Sequence, residues 1–216
     1  MTKSRKWPII AVLAIALGGC KILPTPAEGD TAAAGGKFDP DAMVAKIWDA
    51  KVIPYLEQKA GPFAEVDALA RSDAKAAGEK YGNPNKQANS PWTYAVRVDG
   101  KIVAANTKSR AASIDVDVDV DGDGKADLRA EIGPAMRGTA LRDVLDFVNF
   151  NEFINQIDFA QYGKAFNTYA DKTVLSKLPR ENLEGHNVRL LGAYVPANGS
   201  DLPLLTPAKA EIGPSP

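Results

Sequence analysis

Residues 92–107 read WTYAVRVDGKIVAANT, and the way this stretch folds decides the architecture. Apolar and polar side chains alternate along it, the period of a strand with one buried face. Asp99-Gly100 lies at its centre and suits a two-residue hairpin turn, so two antiparallel strands are expected. Further along, residues 113–133, SIDVDVDVDGDGKADLRAEIG, carry the alternation into a third strand and the beginning of a fourth. Val116, Val118 and Val120 face inward in this reading, and the aspartates face solvent. The period then changes to the helical one in residues 138–150, GTALRDVLDFVNF, where Leu141, Val144, Leu145 and Val148 share a face and Thr139 is placed as a cap. More helix is expected through residues 151–178. Residues 186–196, HNVRLLGAYVP, and 201–213, DLPLLTPAKAEIG, close the chain as two further strands.

Three strands, a helix and two strands is the order of an OB-type barrel. Upstream, residues 38–63, FDPDAMVAKIWDAKVIPYLEQKAGPF, open with Asp39 as a helix cap and Pro40 in the first turn. Val44, Ile47, Trp48 and Val52 form its apolar stripe, and Pro54 kinks or ends the helix. A second helix starts at Pro62 with Phe63, Val66, Leu69 and Ala70 buried. KYGNPNKQANSP, residues 80–91, breaks the pattern with Gly, Pro and Asn. The fold class is therefore α+β: a small helical domain over 38–86 and an OB-like β domain over 91–213, with helices inserted at about 138–178. Trp48 and Trp92 are assigned to the core or to the seam between the two parts.

The chain has 216 residues and one cysteine, Cys20, so no intramolecular disulfide is available. Lys3, Arg5 and Lys6 precede an apolar, uncharged run from Pro8 to Leu17, the layout of a signal peptide and too short for a bilayer-spanning helix of about 20 residues. Leu17-Gly18-Gly19-Cys20 resembles the bacterial lipobox, in which the cysteine is acylated and becomes the first mature residue. Residues 1–19 are then a cleaved signal. Residues 20–37 are a lipidated cysteine followed by an Ala-, Gly-, Pro- and Thr-rich tether. The net charge of −1 drops to −4 once the three basic residues of the signal are lost. A mildly acidic body lacks the basic face that nucleic-acid binding requires, so no nucleic-acid partner is expected.

Three constellations bear on chemistry. DVDVDGDGKAD, residues 117–127, resembles calcium loops of the D-x-D-x-D-G class. Started at Asp117, the EF-hand register puts Leu128 where a bidentate Glu is required; a register with Asp119, Asp121, Asp123 and Asp127 fits shorter calcium loops better. The competing reading is a solvated acidic hairpin, and no cofactor beyond this candidate calcium is expected. In IGPAMRGTALRD, residues 132–143, Arg137, Gly138, Thr139 and Arg142 form a helix start with guanidinium forks, a site for a carboxylate, phosphate or polyol; the alternative is that Arg142 and Asp143 pair internally. Asn155 and Gln156, between aromatic residues, add amides of the kind that recognise sugars. His186 sits in a turn with no ligand partner, and no nucleophilic catalytic set is evident.

GCKILP, IWDAKVIPYL, IGPAMRGTALRDVLDFVNFNEFINQIDFA, LEGHNVRLLGAY and LLTPAKAEI together resemble the domain-of-unknown-function 2291 family of predicted periplasmic lipoproteins. The resemblance implies a secreted, lipid-anchored protein facing the periplasm, with a helical part and an OB-like part. It also implies an accessory role beside sugar-type ABC transport systems, and it carries over no catalytic residue. The expected function is a non-enzymatic envelope lipoprotein that binds a sugar or anionic solute, or a partner protein. The rival readings are a glycan hydrolase using Asp143, Asp146 or Glu152 as paired carboxylates, and a purely structural envelope protein.

Overall fold

The computed structural model describes residues 38–119, 123–197, 199 and 201–213. The signal peptide, Cys20 and the tether lie outside the described residues, as do Val120 and Asp121. Helix α1 (Pro40–Ile47) starts as its sequence dictates: Asp39 Oδ1 accepts the Ala42 N–H at 3.0 Å, and Pro40 occupies the first turn. Residues Trp48–Val52 then widen into a π-helical turn, in which the Ile53 N–H reaches Trp48 O five residues back, before α2 (Ile53–Lys59) continues. The wider turn lies where the ring of Pro54 would otherwise press on the carbonyl four residues earlier, so the helix is deflected and does not stop. Val44, Trp48, Val52 and Leu56 are fully or almost fully buried.

A two-residue strand β1 (Gly61–Pro62) leads into α3 (Phe63–Ser72). Helix α4 (Ala74–Tyr81) follows at once, because Asp73 Oδ1 caps it through the N–H groups of Lys75 and Ala76. This second cap ends the apolar stripe of α3 early and separates two helices that periodicity alone merges.

The barrel departs from expectation at its first strand. Residues 94–106 do not form a hairpin; they are one strand, β2 (Tyr94–Asn106). A two-residue hairpin turn needs positive φ at one or both central residues, and neither Asp99 nor Gly100 is among the positive-φ residues. Gly100 is needed for closeness instead, since a Cβ there would lie 2.4 Å from Asp117 O on the neighbouring strand. Around it the strand changes partners: Tyr94–Lys101 pair with β5 (Asn187–Val195), and Lys101–Asn106 pair with β3 (Ser113–Asp117). β3 pairs antiparallel with β4 (Leu128–Glu131), β4 parallel with β6 (Leu204–Ile212), and β6 antiparallel with β5. The ring β2-β3-β4-β6-β5 closes on β2, the strand order of an OB barrel with a parallel pair between its third and fifth strands.

Between β4 and β5 stand α5 (Ala140–Asp143), a 3-10 turn at Phe150–Glu152, and α6 (Gln156–Thr173). The helix expected over 138–150 is thus only four residues long. Beyond it the Val144 carbonyl accepts the Tyr55 hydroxyl at 3.3 Å and the Leu145 carbonyl accepts Asn83 Nδ2 at 2.9 Å, so groups distant in sequence satisfy the backbone that a longer helix would have paired internally.

Two apolar clusters hold the structure. One fills the barrel with Val96, Ile102, Ile114, Val116, Leu128 and Leu205, and extends to Phe63, Val66, Ala77 and Tyr81 of α3 and α4. The other joins α1 and α2 to α5, α6 and the outer barrel residues Ala95, Ala193 and Ala208. Trp48 belongs to the second, its ring 4.9 Å from Tyr169 and 6.3 Å from Phe166. Trp92 packs over Gly78, where a Cβ would come within 2.3 Å of the indole. Residues 38–86 therefore contribute to both clusters that the sheet also lines. Among the described residues no helix is long and apolar enough to cross a membrane.

Candidate functional site

The short helix α5 exists to place Arg142. Although charged, this residue is only 8% exposed, and burial at that level demands partners. Its Nε donates to Asp143 Oδ1 at 2.8 Å, Nη1 to the Phe159 carbonyl at 2.7 Å, and Nη2 to both Thr139 Oγ1 and Asp143 Oδ1. The guanidinium also stacks over the Phe159 ring, 3.7 Å from its centroid. The Thr139 hydroxyl donates to Asp143 Oδ2 at 2.6 Å, so both oxygens of Asp143 are engaged. Thr139 spends its side chain on this network and does not cap α5. Gly163 lets α6 approach, since a Cβ there would lie 2.4 Å from Thr139 Cγ2. Asn167 Nδ2 fixes the preceding turn by donating to the Gly138 carbonyl at 3.0 Å.

On the outer side of this network lie two adjoining recesses of about 280 and 180 Å3, which share Gln87, Arg142, Phe150 and Phe159 as walls. The larger adds Thr139, Gln156 and Ala160; the smaller adds Asn85, Lys86 and Asn149 among others. Phe150 and Phe159 meet edge to face at 5.3 Å. Lys86 is not a free cation: its ammonium donates to the Ser90 carbonyl at 2.7 Å, to Gln87 and Ala88 carbonyls at longer range, and sits 4.6 Å over the Trp92 ring. Among the described residues, the side-chain amides of Asn85, Gln87, Asn149 and Gln156 have no protein partner.

The structure thus brings Thr139, Arg142 and Gln156 together and leaves out the other candidates. The Arg137 side chain is 73% exposed and its Nε lies 3.5 Å from Glu131 Oε1. Gly138 takes φ +66 in the turn. Asn155 caps α6, its Oδ1 accepting the Asp158 N–H at 2.9 Å. Asp146 adjoins Tyr55, whose hydroxyl is pushed up to about 12 by burial and then by that carboxylate. Glu152 acts likewise on Tyr162, also pushed up to about 12, chiefly by burial. His186 holds the residue that follows β6, its Nδ1 2.7 Å from the Gly213 carbonyl. In the acidic stretch, Asp117 Oδ1 accepts the Asp119 N–H, Asp123 Oδ1 the Lys125 N–H, and Asp127 Oδ2 the Val118 N–H. Among the described residues no three or more His, Cys, Asp or Glu side chains are grouped to hold a metal ion.

Two features escaped the sequence reading. The wall formed by residues 83–91 reads as a breaker, and only its density of Asn and Gln hints at a surface for ligands. Glu131, at the end of β4, is buried, with Oε1 accepting the Arg137 N–H at 2.9 Å and Oε2 the Thr206 hydroxyl at 3.2 Å. Burial raises its carboxyl above the usual range, against the opposing pull of those bonds and of Arg137. No periodic signal marks it, because its position faces away from the barrel interior and is covered by the following turn and by Thr206 of β6.

A larger cleft of about 550 Å3 lies on the outer face of β2, β5 and β6 beside α2 and α3. Its charges are mostly committed: Lys209 to Glu57 at 2.5 Å, Arg189 to Asp99 at 3.4 Å, and Arg97 to the carbonyls of Glu57 and Ala60 at the end of α2. That makes it a cross-braced seam, and the amide-lined recess is the better site.

A sequence model of a family described as predicted periplasmic lipoprotein, domain of unknown function 2291, matches residues 10–211. No curated protein matches the chain. Among solved structures, an OB-fold protein from Thermotoga maritima superposes with a TM-score of 0.60 at 18% identity, over 81% of this chain and 98% of that one. At such identity the likeness establishes the shared fold.

Proposed function

This chain belongs to the domain-of-unknown-function 2291 family of predicted periplasmic lipoproteins, and from that premise we propose that it is a non-enzymatic solute-binding protein of the envelope whose recess takes a neutral, polyhydroxylated molecule of the sugar class. The observation that carries this reading is the contrast between cations held by protein partners and exposed amides free of protein partners around two aromatic rings. Arg142 is neutralised by Asp143 and Lys86 is spent on carbonyls, so a carboxylate or phosphate entering the recess would lose hydration without gaining a free positive partner. Asn85, Gln87, Asn149 and Gln156 offer both donors and acceptors, which match hydroxyl groups, while Phe150 and Phe159 offer apolar faces to the carbon skeleton. A hydrolytic role gains no support from Asp143, whose two oxygens are both held.

Lipid attachment at Cys20 and association with a sugar-type ABC transport system complete the proposal; the family description as a lipoprotein supports the first, and crosslinking in envelope membranes tests the second, since it should recover a transport component. The site is tested by thermal shift with neutral sugars, sugar acids and sugar phosphates. A neutral sugar at 100 times its Kd stabilises by about 2.7 kcal/mol, which is roughly 5 to 10 °C for a domain of this size. Gln87→Ala and Gln156→Ala should each weaken that ligand about 3- to 10-fold, the worth of a neutral hydrogen bond. A shift confined to sugar phosphates, or a neutral-sugar shift untouched by both substitutions, refutes the reading.

A further inference from the structure

We infer that the two recesses are halves of one elongated site, and that the neutral sugar it takes is a disaccharide with one ring in each half. The inference rests on the solute-binding reading above and specifies the size of its ligand. Neither recess is large enough alone: about 280 and 180 Å3 fall below the roughly 300 to 1,000 Å3 typical of small-molecule pockets. Joined, they enter that range. Gln87, Arg142, Phe150 and Phe159 join them, since all four belong to the walls of both.

The amides are distributed to match two rings. Asn85 and Asn149 line only the smaller recess, Gln156 lines only the larger, and Gln87 stands at the junction. Apolar wall is divided in the same way, with Pro91 and Val148 in the smaller half and Ala160 in the larger. Neither half offers a free cation: Arg142 is bound to Asp143, and Lys86 to the Ser90 carbonyl. No end is therefore marked out for an acidic unit. A single ring would leave the amides of one half in water, whereas two linked rings engage both, with the glycosidic linkage beside Gln87.

The walls are set before a ligand arrives. Buried Asn83 donates from Nδ2 to the Leu145 carbonyl at 2.9 Å and accepts the Asn85 N–H on Oδ1 at 2.8 Å. The Ser90 N–H donates to the Gln87 carbonyl at 3.0 Å, and the Lys86 ammonium laces the same loop. On the opposite side the Asn149 carbonyl accepts the Glu152 N–H at 3.2 Å, so Asn149 and Phe150 stand on a closed turn. A site held in this way loses little freedom on binding, and contacts to a second ring add affinity.

Calorimetric titration of the full chain tests this by comparing glucose and galactose with the neutral disaccharides maltose, cellobiose and lactose. The best disaccharide should bind about tenfold tighter or more than its component sugars, because hydrogen bonds to Asn85 and Asn149 each add about threefold or more. Asn149→Ala removes no protein contact, since that side chain has no hydrogen-bond partner among the described residues. It should cut the preference for the disaccharide at least threefold, while Gln156→Ala should weaken both classes of sugar. Failure of every neutral sugar to bind overturns the solute-binding reading and this inference with it. Single rings that bind as tightly as disaccharides overturn the inference alone and leave that reading in place. A disaccharide preference that survives Asn149→Ala puts the second ring outside the smaller recess and likewise overturns the inference.

Discussion

Arg142 and Arg137 look alike in the sequence, five residues apart at one turn, yet the structure gives them opposite roles and therefore opposite mutational signatures. Arg142→Ala removes four hydrogen bonds, to Asp143, Phe159 O and Thr139, together with the stack on Phe159. Breaking a buried charged pair from one side costs about 3 to 5 kcal/mol. The Asp143 side chain is 37% exposed, so water recovers part of its loss and the lower end, about 3 kcal/mol, applies. With an unfolding entropy of about 2.1 cal/mol/K per residue over roughly 170 ordered residues, that lowers Tm by about 8 °C. Arg137→Ala removes an exposed guanidinium with one loose ion pair and should cost no more than about 1 kcal/mol, or about 3 °C. Arg142→Lys should not rescue, because a point ammonium cannot reach three acceptors in the plane of a fork. Differential scanning fluorimetry with circular dichroism decides the matter. An Arg142→Ala protein melting within 2 °C of wild type, or one more stable than Arg137→Ala, would refute the assignment of Arg142 as the internal brace of the site.

Gly100→Asn separates the two readings of the 92–107 stretch: a hairpin turn accepts Asn readily, whereas the observed close approach to Asp117 O predicts a loss of about 1 to 3 kcal/mol in chemical denaturation. Glu131→Gln tests the buried carboxyl. Its folded pKa is raised above the unfolded one, so its contribution to stability is fully present below the unfolded value near 4.5 and is lost as pH rises through the folded value. The Tm of Glu131→Gln minus that of wild type should therefore grow more positive from pH 4 to pH 7; a flat or falling difference contradicts burial as the dominant influence on this group.

The barrel was legible because alternation along Val96, Val98, Ile114, Val116, Leu128 and Ala130 is the direct imprint of one buried face, and all six are buried. What misled was Asp99-Gly100, where local turn chemistry and tertiary packing demand the same residue for different reasons. Only the position of Asp117 on the next strand distinguishes them, and that is not a local property. The middle segment fails in a related way. Leu141, Val144, Leu145 and Val148 are indeed buried, so their spacing reported packing correctly, but the helix it suggested stops at Asp143 because Tyr55 and Asn83 take the carbonyls beyond. Burial period and backbone state are separable whenever distant side chains supply the hydrogen bonds.

The candidate site shows the same division. Thr139, Arg142 and Gln156 stood out because charged and amide groups beside Gly and Phe are uncommon in a purely structural turn. The opposite wall, Asn85 to Gln87, did not, because a segment rich in Asn, Gly and Pro reads as a connection and reveals a ligand-facing role only once a partner surface is placed against it. The consequence for function lies in the first turn of α6. Successive residues on a helix point about 100° apart: Gln156 lines the recess and Ile157 stands out from the body. One turn thus points a polar group toward the recess and leaves the next side chain in solvent, and the two can be varied independently. Gln156→Ala should weaken sugar binding about 3- to 10-fold, whereas Ile157→Ser should leave sugar affinity within twofold. If Ile157→Ser weakens sugar binding as much as Gln156→Ala does, the turn acts as one coupled element and the recess is not bounded at Gln156.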